Sequence, residues 1–235
     1  MSLAQPKRIL IIKLRHHGDV LLSTPVVDAL KTRFPDCEID MLVYAGTGQL
    51  IADNPQIAQI FTIDRNWKKL GVFKQLACEK NLFSKLKARD YDWAFNLSDQ
   101  WRAAIIAKLC ARCSVGLDCI KRDGFWWRFC HDFINHELDT SHHIVENQLN
   151  ILAPLIQPED VADAKVRLWV AQDARESMRQ KLRAQGWNGE DYVLLHPGAR
   201  WHFKCWEDGK NAAIVQLLLN SGQNVVLTAS PDTVE

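Results

Sequence analysis

The chain has 235 residues, 47% hydrophobic and 24% charged, which is enough apolar material for one large core or two small ones and excludes a disordered chain. Lys and Arg number 29 against 28 Asp and Glu, a net charge of +1. No global basic field invites nucleic acid, so any anionic partner must be met by local patches. The polar start Met1 to Arg8 and the short apolar run Ile9 to Ile12 suit neither a signal peptide nor a membrane span, and seven scattered cysteines suit reduced thiols, which predicts a cytoplasmic location.

Lys7 to Leu14 reads as a buried strand, basic at its entry and then continuously aliphatic, as in a parallel sheet. Ser23-Thr24-Pro25 starts a helix that Pro35 and Asp36 close. Ile39 to Tyr44 is predicted as a strand, Gln49 to Asn54 as a short helix, and Ile57 to Ile63 as a third strand after the Asn54-Pro55 turn. A longer helix follows from about Phe73 to Arg89, then a strand over Tyr91 to Leu97 and a helix over Gln100 to Cys110. Cys110-x2-Cys113-x5-Cys119 has no second pair at finger spacing and lies in a helix-like run, so it is not read as a zinc site. Ser141 to Ala153 is predicted as an amphipathic helix stopped by Pro154, and the domain boundary is placed there.

Beyond a polar linker, Val166 to Val170 is predicted as a strand, Ala174 to Ala184 as a helix, Tyr192 to His196 as a strand, Asp208 to Asn220 as a helix and Asn224 to Thr228 as a strand. Strands alternating with helices imply right-handed crossovers onto a parallel, doubly wound sheet, and the alternation starts twice. The expected class is α/β with two Rossmann-like domains, 1–153 and 154–235. The second is expected to be incomplete, since such a domain takes about a hundred residues or more.

Two turns carry chemistry. Arg15-His16-His17-Gly18-Asp19 follows the first strand, where backbone amides and a helix start converge on the ligand crevice of an open parallel sheet. Gly18 is expected to permit a tight turn and Asp19 to project a carboxylate into the crevice. His196-Pro197-Gly198-Ala199-Arg200, with Lys204-Cys205-Trp206, holds the equivalent place in the second domain. There Gly198 and Ala199 let backbone N–H groups approach a phosphate, and Arg200 and Lys204 supply positive charge. Neither a Gly-x-x-x-x-Gly-Lys-Ser/Thr loop nor a Gly-x-Gly-x-x-Gly turn is present.

Ile9-Leu10-Ile11-Ile12-Lys13, Gly18-Asp19-Val20-Leu21, Thr24-Pro25, His196-Pro197-Gly198-Ala199 and Lys204-x-Trp206 resemble the ADP-heptose:lipopolysaccharide heptosyltransferases of glycosyltransferase family 9. Arg15 to Leu22 and Phe203 to Trp206 are most similar to the heptosyltransferase III type, and the resemblance covers nearly the whole chain, His142 to Leu149 included. It implies a GT-B architecture, with the acceptor on the N-terminal domain and ADP-heptose on the C-terminal one. It further implies an inverting transfer of heptose to the phosphorylated inner core of lipopolysaccharide, with Asp19 as general base and Lys204 stabilising the departing ADP, and with no metal or cofactor.

By the same resemblance Gly198, Ala199, Arg200, Lys204, Trp206 and Glu235 are donor-binding, Glu235 lying near the family's ribose-contacting acid. The family's late Asp-Thr-Gly-x-x-His segment has no counterpart. Arg15, His16, His17 and Gly18 flank the base on the acceptor side. Arg65, Lys68, Lys69, Lys121 and Arg122 lie in two stretches that interleave cations with aromatics, a mixture suited to a phosphorylated glycolipid and to the inner face of the inner membrane. Trp93 and Trp101 are expected in the core. The alternatives are heptosyltransferase I or II, or a non-catalytic glycolipid-binding protein.

Overall fold

The computed structural model describes residues 5–117, 124–135, 141–199 and 202–229; Lys121, Arg122, Arg200 and Glu235, predicted above as site residues, lie outside that set. The chain divides into two compact units, Met1–Ala171 and Gln172–Glu235.

The first unit is built on six parallel strands: β1 (Arg8–Lys13), β2 (Glu38–Tyr44), β3 (Gln59–Ile63), β4 (Tyr91–Asn96), β5 (Ala111–Leu117) and β6 (Phe133–Asn135). Their order across the sheet is β3-β2-β1-β4-β5-β6. Successive residues of β1 alternate between two cores, as the period of two in a strand requires. Ile9 and Ile11 pack with Val26, Val27 and Leu30 of α2 (Thr24–Arg33) and with Ile151 and Leu152, just past α6 (Ile144–Leu149). Leu10 and Ile12 pack with Leu82 and Leu86 of α3 (Val72–Ala88) and with Ala103 and Ile106 of α4 (Trp101–Cys110). Both faces are covered, so β1 is apolar from Ile9 to Ile12.

Strand order reverses between β1 and β4: β2 and β3 extend the sheet from one side of β1, β4 to β6 from the other. The crevice above the carboxyl ends of β1 and β4 is therefore the place where a ligand site forms in such a sheet.

The opposite edge is closed by charge. Asp40, fully buried, accepts from Arg89 Nε at 2.7 Å and from Tyr91 OH at 2.7 Å, while Arg89 Nη2 also reaches Glu38 at 2.8 Å. Arg8 joins through Glu38 at 2.9 Å, and Asp92 accepts the Lys7 and Arg8 amides.

Four local expectations change. A short helix, α1 (His17–Leu21), occupies what read as a turn, and Gly18 lies inside it without the positive φ that a glycine-dependent turn needs. β5 starts directly after α4, where the sequence shows no break. Cys110 and Cys113 therefore belong to different elements, and burial pushes both thiols up to about 11, so they stay protonated. Trp101 does not enter the core; it is 37% exposed and rests edge-on against Trp127, while Trp93 is buried.

Finally, Val166 to Val170 is not a strand. Its neighbourhood is held by side chains: Thr24 Oγ1 accepts the Arg167 amide at 3.3 Å, Asp28 accepts the Lys165 amide at 3.2 Å and Arg167 Nε at 3.0 Å, and Asp53 accepts the Ala171 amide at 3.0 Å. Burial opposes the Asp28 charge, but Gln56, Lys165 and Arg167 prevail and hold its carboxyl below the usual range. These bonds tie residues up to Ala171 to the first unit, beyond the Pro154 break.

The second unit contains α7 (Gln172–Ala184), the parallel pair β7 (Tyr192–Leu195) and β8 (Asn224–Leu227), and α8 (Asp208–Asn220) between them. This is again strand, helix, strand.

Candidate active site

The turn after β1 is fastened to the turn after β4 by buried polar groups. The Leu14 amide donates to Ser98 Oγ at 2.7 Å, the Leu97 amide to Ile12 O at 2.9 Å, and Lys13 Nζ to Leu97 O at 3.2 Å. Lys13 is almost wholly enclosed. Burial pushes its ammonium down to about 8; Asp19 and Asp99 oppose that, and Arg15 adds to it. Arg15 itself pairs with Asp99 at 2.8 Å.

Asp19 stands in the first turn of α1, half-buried, with Oδ2 accepting the His16 amide at 3.4 Å. Its other oxygen accepts no hydrogen bond among the described residues. A carboxylate held by one long bond at the switch point retains a lone pair for a substrate hydroxyl, the geometry a general base requires. Gly18 presents open space on the same turn: apart from its chain neighbours and the backbone of its own helix, no atom of the described residues lies within 4 Å of where its Cβ would be. His17 Nε2 donates to Gly46 O at 3.1 Å, so this histidine fixes α1 against the loop after β2. His16 and His17 are both exposed.

Arg65 reaches the crevice through its neighbours. Its guanidinium lies 4.0 Å from the Tyr44 ring centroid, Tyr44 OH donates to Gln100 Oε1 at 2.6 Å, and Gln100 Nε2 donates to Leu14 O at 2.9 Å. A cation stacked on a ring that is itself hydrogen-bonded is positioned rather than merely solvated. Lys68 and Lys69 lie on the 3-10 turn Arg65–Lys69, exposed and without an ion pair among the described residues. Arg15, His16, His17, Gly18 and Asp19 are thus brought together, Arg65 is linked to them, and Lys68 and Lys69 stand further out.

Sequence reasoning missed Lys13 as a site component, and Tyr44, Asn96, Ser98, Asp99 and Gln100 altogether. The signal was their position, at or just past the carboxyl ends of the strands flanking the switch point. The same set continues inward. Ser98 N donates to Asn96 Oδ1 at 3.0 Å, Asn96 Nδ2 meets His131 Nε2 at 3.1 Å, and His131 Nδ1 meets Trp127 O at 2.9 Å. A carbonyl only accepts, so Nδ1 carries the proton and Nε2 receives the Asn96 donor. Burial lowers the His131 pKa, in keeping with a neutral ring. This chain of bonds ties the β4 turn to α5 (Phe125–Phe129).

In the second unit, the loop after β7 runs from His196 to Ala199, with His196 Nδ1 3.0 Å from Thr228 Oγ1 beyond β8. Among the described residues, and apart from the two chain neighbours, only His196 Nε2, at 3.9 Å, approaches the Cβ position of Gly198. Lys204 ends a short 3-10 turn, exposed, 5.9 Å from the Phe203 ring, and Trp206 O accepts Asn211 Nδ2 at 3.4 Å. Gly198, Ala199, Lys204 and Trp206 therefore lie on one connection, between β7 and α8.

The one Asp-x-Asp spacing in the chain, Asp90-Tyr91-Asp92, is at the far edge of the sheet, where Asp90 pairs with Arg112 at 2.6 Å and Asp92 binds backbone amides. Among the described residues no group of three or more His, Cys, Asp or Glu is gathered as metal ligands.

The sequence profile of glycosyltransferase family 9 (heptosyltransferase) matches residues 80–235. Lipopolysaccharide heptosyltransferase 3 of Escherichia coli (strain K12) is 36% identical over 221 residues, covering 93% of this chain and 62% of that protein. The glycosyl transferase family 9 structure from Veillonella parvula DSM 2008 superposes with a TM-score of 0.81 at 20% identity, over 98% of this chain and 64% of that one. E. coli heptosyltransferase WaaC, solved with ADP-2-deoxy-2-fluoro heptose, superposes with a TM-score of 0.72 at 18% identity, over 95% of this chain and 70% of that one. The chain thus spans about 62% of the length of the heptosyltransferase 3 relative, and its α/β architecture is that of these GT-B enzymes. By its sequence and its fold, the chain belongs to glycosyltransferase family 9, the heptosyltransferase family.

Proposed function

We propose that the protein transfers heptose from ADP-heptose to the lipopolysaccharide inner core, as a heptosyltransferase of the III type, with inversion at the anomeric carbon. The observation that carries this reading is the half-buried Asp19 carboxylate at the β1/β4 switch point, one oxygen accepting no hydrogen bond among the described residues, in a chain 36% identical to a heptosyltransferase 3.

Asp19 takes the proton of the acceptor heptose hydroxyl as its oxygen attacks the donor. The bond from the anomeric carbon to ADP breaks, and Lys204 and Arg200 offset the charge that builds on the diphosphate. Gly198, Ala199, Trp206 and Glu235 complete the donor side. The first unit takes the acceptor: Arg15, His16, His17 and Gly18 at the turn, with Arg65, Lys68, Lys69, Lys121 and Arg122 meeting its phosphates. No helix among the described residues is long and apolar enough to cross a membrane, and the proposed location is the cytoplasmic face of the inner membrane, held peripherally.

Asp19→Asn tests the reading. It keeps the size of the side chain and removes the base, so transfer falls while binding of ADP to the second unit is unchanged. Unchanged transfer in Asp19→Asn refutes the assignment.

A further inference from the structure

The corner that leads into α3 is basic and apolar at once. From Arg65 to Leu76 the sequence holds Arg65, Lys68, Lys69 and Lys74 and no carboxylate. Lys68, Lys69 and Lys74 are exposed and form no ion pair among the described residues. Gly71, at φ +82°, turns the chain sharply into the helix, and the first turns then expose Val72, Leu76 and, at 89%, Phe73. An apolar ring so far out of the core gains nothing from folding.

A second cluster stands on α5. Phe125 and Trp126 are 73% and 68% exposed, with Phe129 beside them, their ring centroids 5.5 to 6.4 Å apart. The cluster is anchored by Trp127, buried beneath, whose Nε1 donates to Leu117 O at 3.3 Å. α4 connects the two places: Arg102 pairs with Glu79 of α3 at 2.6 Å, and Trp101 meets the Trp127 ring at 5.5 Å. Each of the three helices follows a parallel strand, so each begins at the carboxyl edge of the sheet, the edge that carries the Arg15 to Asp19 turn.

We infer that the corner before α3 and the aromatic cluster of α5 together dock this protein on an anionic phospholipid bilayer. Aromatic and aliphatic side chains enter the headgroup boundary, and the lysines meet lipid phosphates. A protein partner fits less well, because interface cores are depleted in lysine and seat aromatic anchors in pockets, whereas Phe73 is 89% exposed and flanked by exposed lysines. The inference deepens the membrane placement proposed above by naming the surface, and it sets the candidate base at the edge of the sheet turned toward the bilayer.

The test is co-sedimentation of this chain with vesicles of phosphatidylethanolamine and phosphatidylglycerol, against phosphatidylcholine vesicles, at low and high salt. No sugar nucleotide or acceptor is present, so failure here leaves the transferase reading standing. Binding is expected to the anionic vesicles alone and to weaken with salt. The double variant Phe73→Ser/Trp126→Ser is expected to lower partitioning about tenfold or more, and Lys68→Glu/Lys69→Glu to lower it comparably, each with an unchanged thermal unfolding midpoint because all four residues are exposed. Wild-type protein that ignores anionic vesicles, folded variants that bind as well as wild type, or a dimer that both variants dissolve would each overturn the inference, the last by making the surface a contact between copies.

Discussion

Arg15 Nη2 and Asp99 Oδ2 meet at 2.8 Å and join the turn after β1 to the turn after β4 across the switch point of the sheet. Both side chains are substantially exposed, and such pairs contribute little to stability, so Asp99→Ala is expected to lower the unfolding free energy by less than about 1 kcal/mol. The same pair orients the segment that carries Asp19, the proposed base, and small misplacements of such a group are magnified in rate. Asp99→Ala is therefore expected to slow transfer by about tenfold or more. Denaturant unfolding and the transfer rate, measured side by side, separate the two effects; a loss confined to stability contradicts the role given to this pair.

The opposite edge of the sheet behaves in the reverse manner. Asp40 is fully buried and is held by Arg89 and Tyr91. Removing the Asp40 carboxylate leaves the buried Tyr91 hydroxyl and Arg89 Nε without their acceptor, although Arg89 keeps Glu38, so Asp40→Ala is expected to lower stability by about 1–3 kcal/mol. Glu38→Ala, which touches the same arginine from the surface, is expected to lower it by less than about 1 kcal/mol. Urea titration of the two variants tests this, and equal losses contradict the structural account of the network.

His131 gives the fold a pH dependence. Burial holds its folded pKa below the usual histidine value, while in the unfolded chain it titrates near the ordinary value. As pH falls below about 6.5, the unfolded state takes up a proton that the folded state does not, so stability declines toward acid by at most about 1.4 kcal/mol per pH unit. The unfolding free energies of wild type and His131→Gln at pH 7, 6 and 5 check this. The difference between them is expected to shrink toward pH 5, and a constant difference contradicts the neutral buried ring.

Gly116 is a steric consequence of the same histidine. A Cβ there would lie 2.5 Å from His131 Cδ2, and the ring is held at both nitrogens. Gly116→Ala is expected to lower stability by about 1–3 kcal/mol through this clash. A thermal scan that matches wild type would show that the ring can yield.

Much of this was legible in the sequence because its causes are local. Ile9 to Ile12 could only be a doubly covered strand, and Thr24-Pro25 opened a helix, so the segment that bears Asp19 was bounded correctly between them, although it forms α1 and not an open turn. β5 escaped because Ala111 to Leu117 mixes small, polar and charged residues and follows α4 with no breaker. Val166 to Val170 misled in the opposite sense: its β-branched and aromatic residues suit a strand, yet the Lys165 and Arg167 amides bond to side chains of α2 and not to another strand. Asn96, Asp99 and Gln100 were hidden because β4 lies beside β1 in space but far later in the chain, and Tyr44, at the end of β2, meets them only through Gln100, so only the sheet order brings these partners together.

The central claim is that this family 9 chain carries a heptosyltransferase acceptor site with Asp19 as its base. The most direct test is transfer of heptose from ADP-heptose to lipopolysaccharide lacking that core heptose, measured for this chain, for the chain carried to the full length of its heptosyltransferase 3 relative, and for the Asp19→Asn form of each. The account predicts transfer by the full-length protein and a fall of about a hundredfold or more in its Asp19→Asn form, with ADP binding intact. Binding of the glycolipid with no transfer by either length, or transfer that survives in Asp19→Asn, would contradict it.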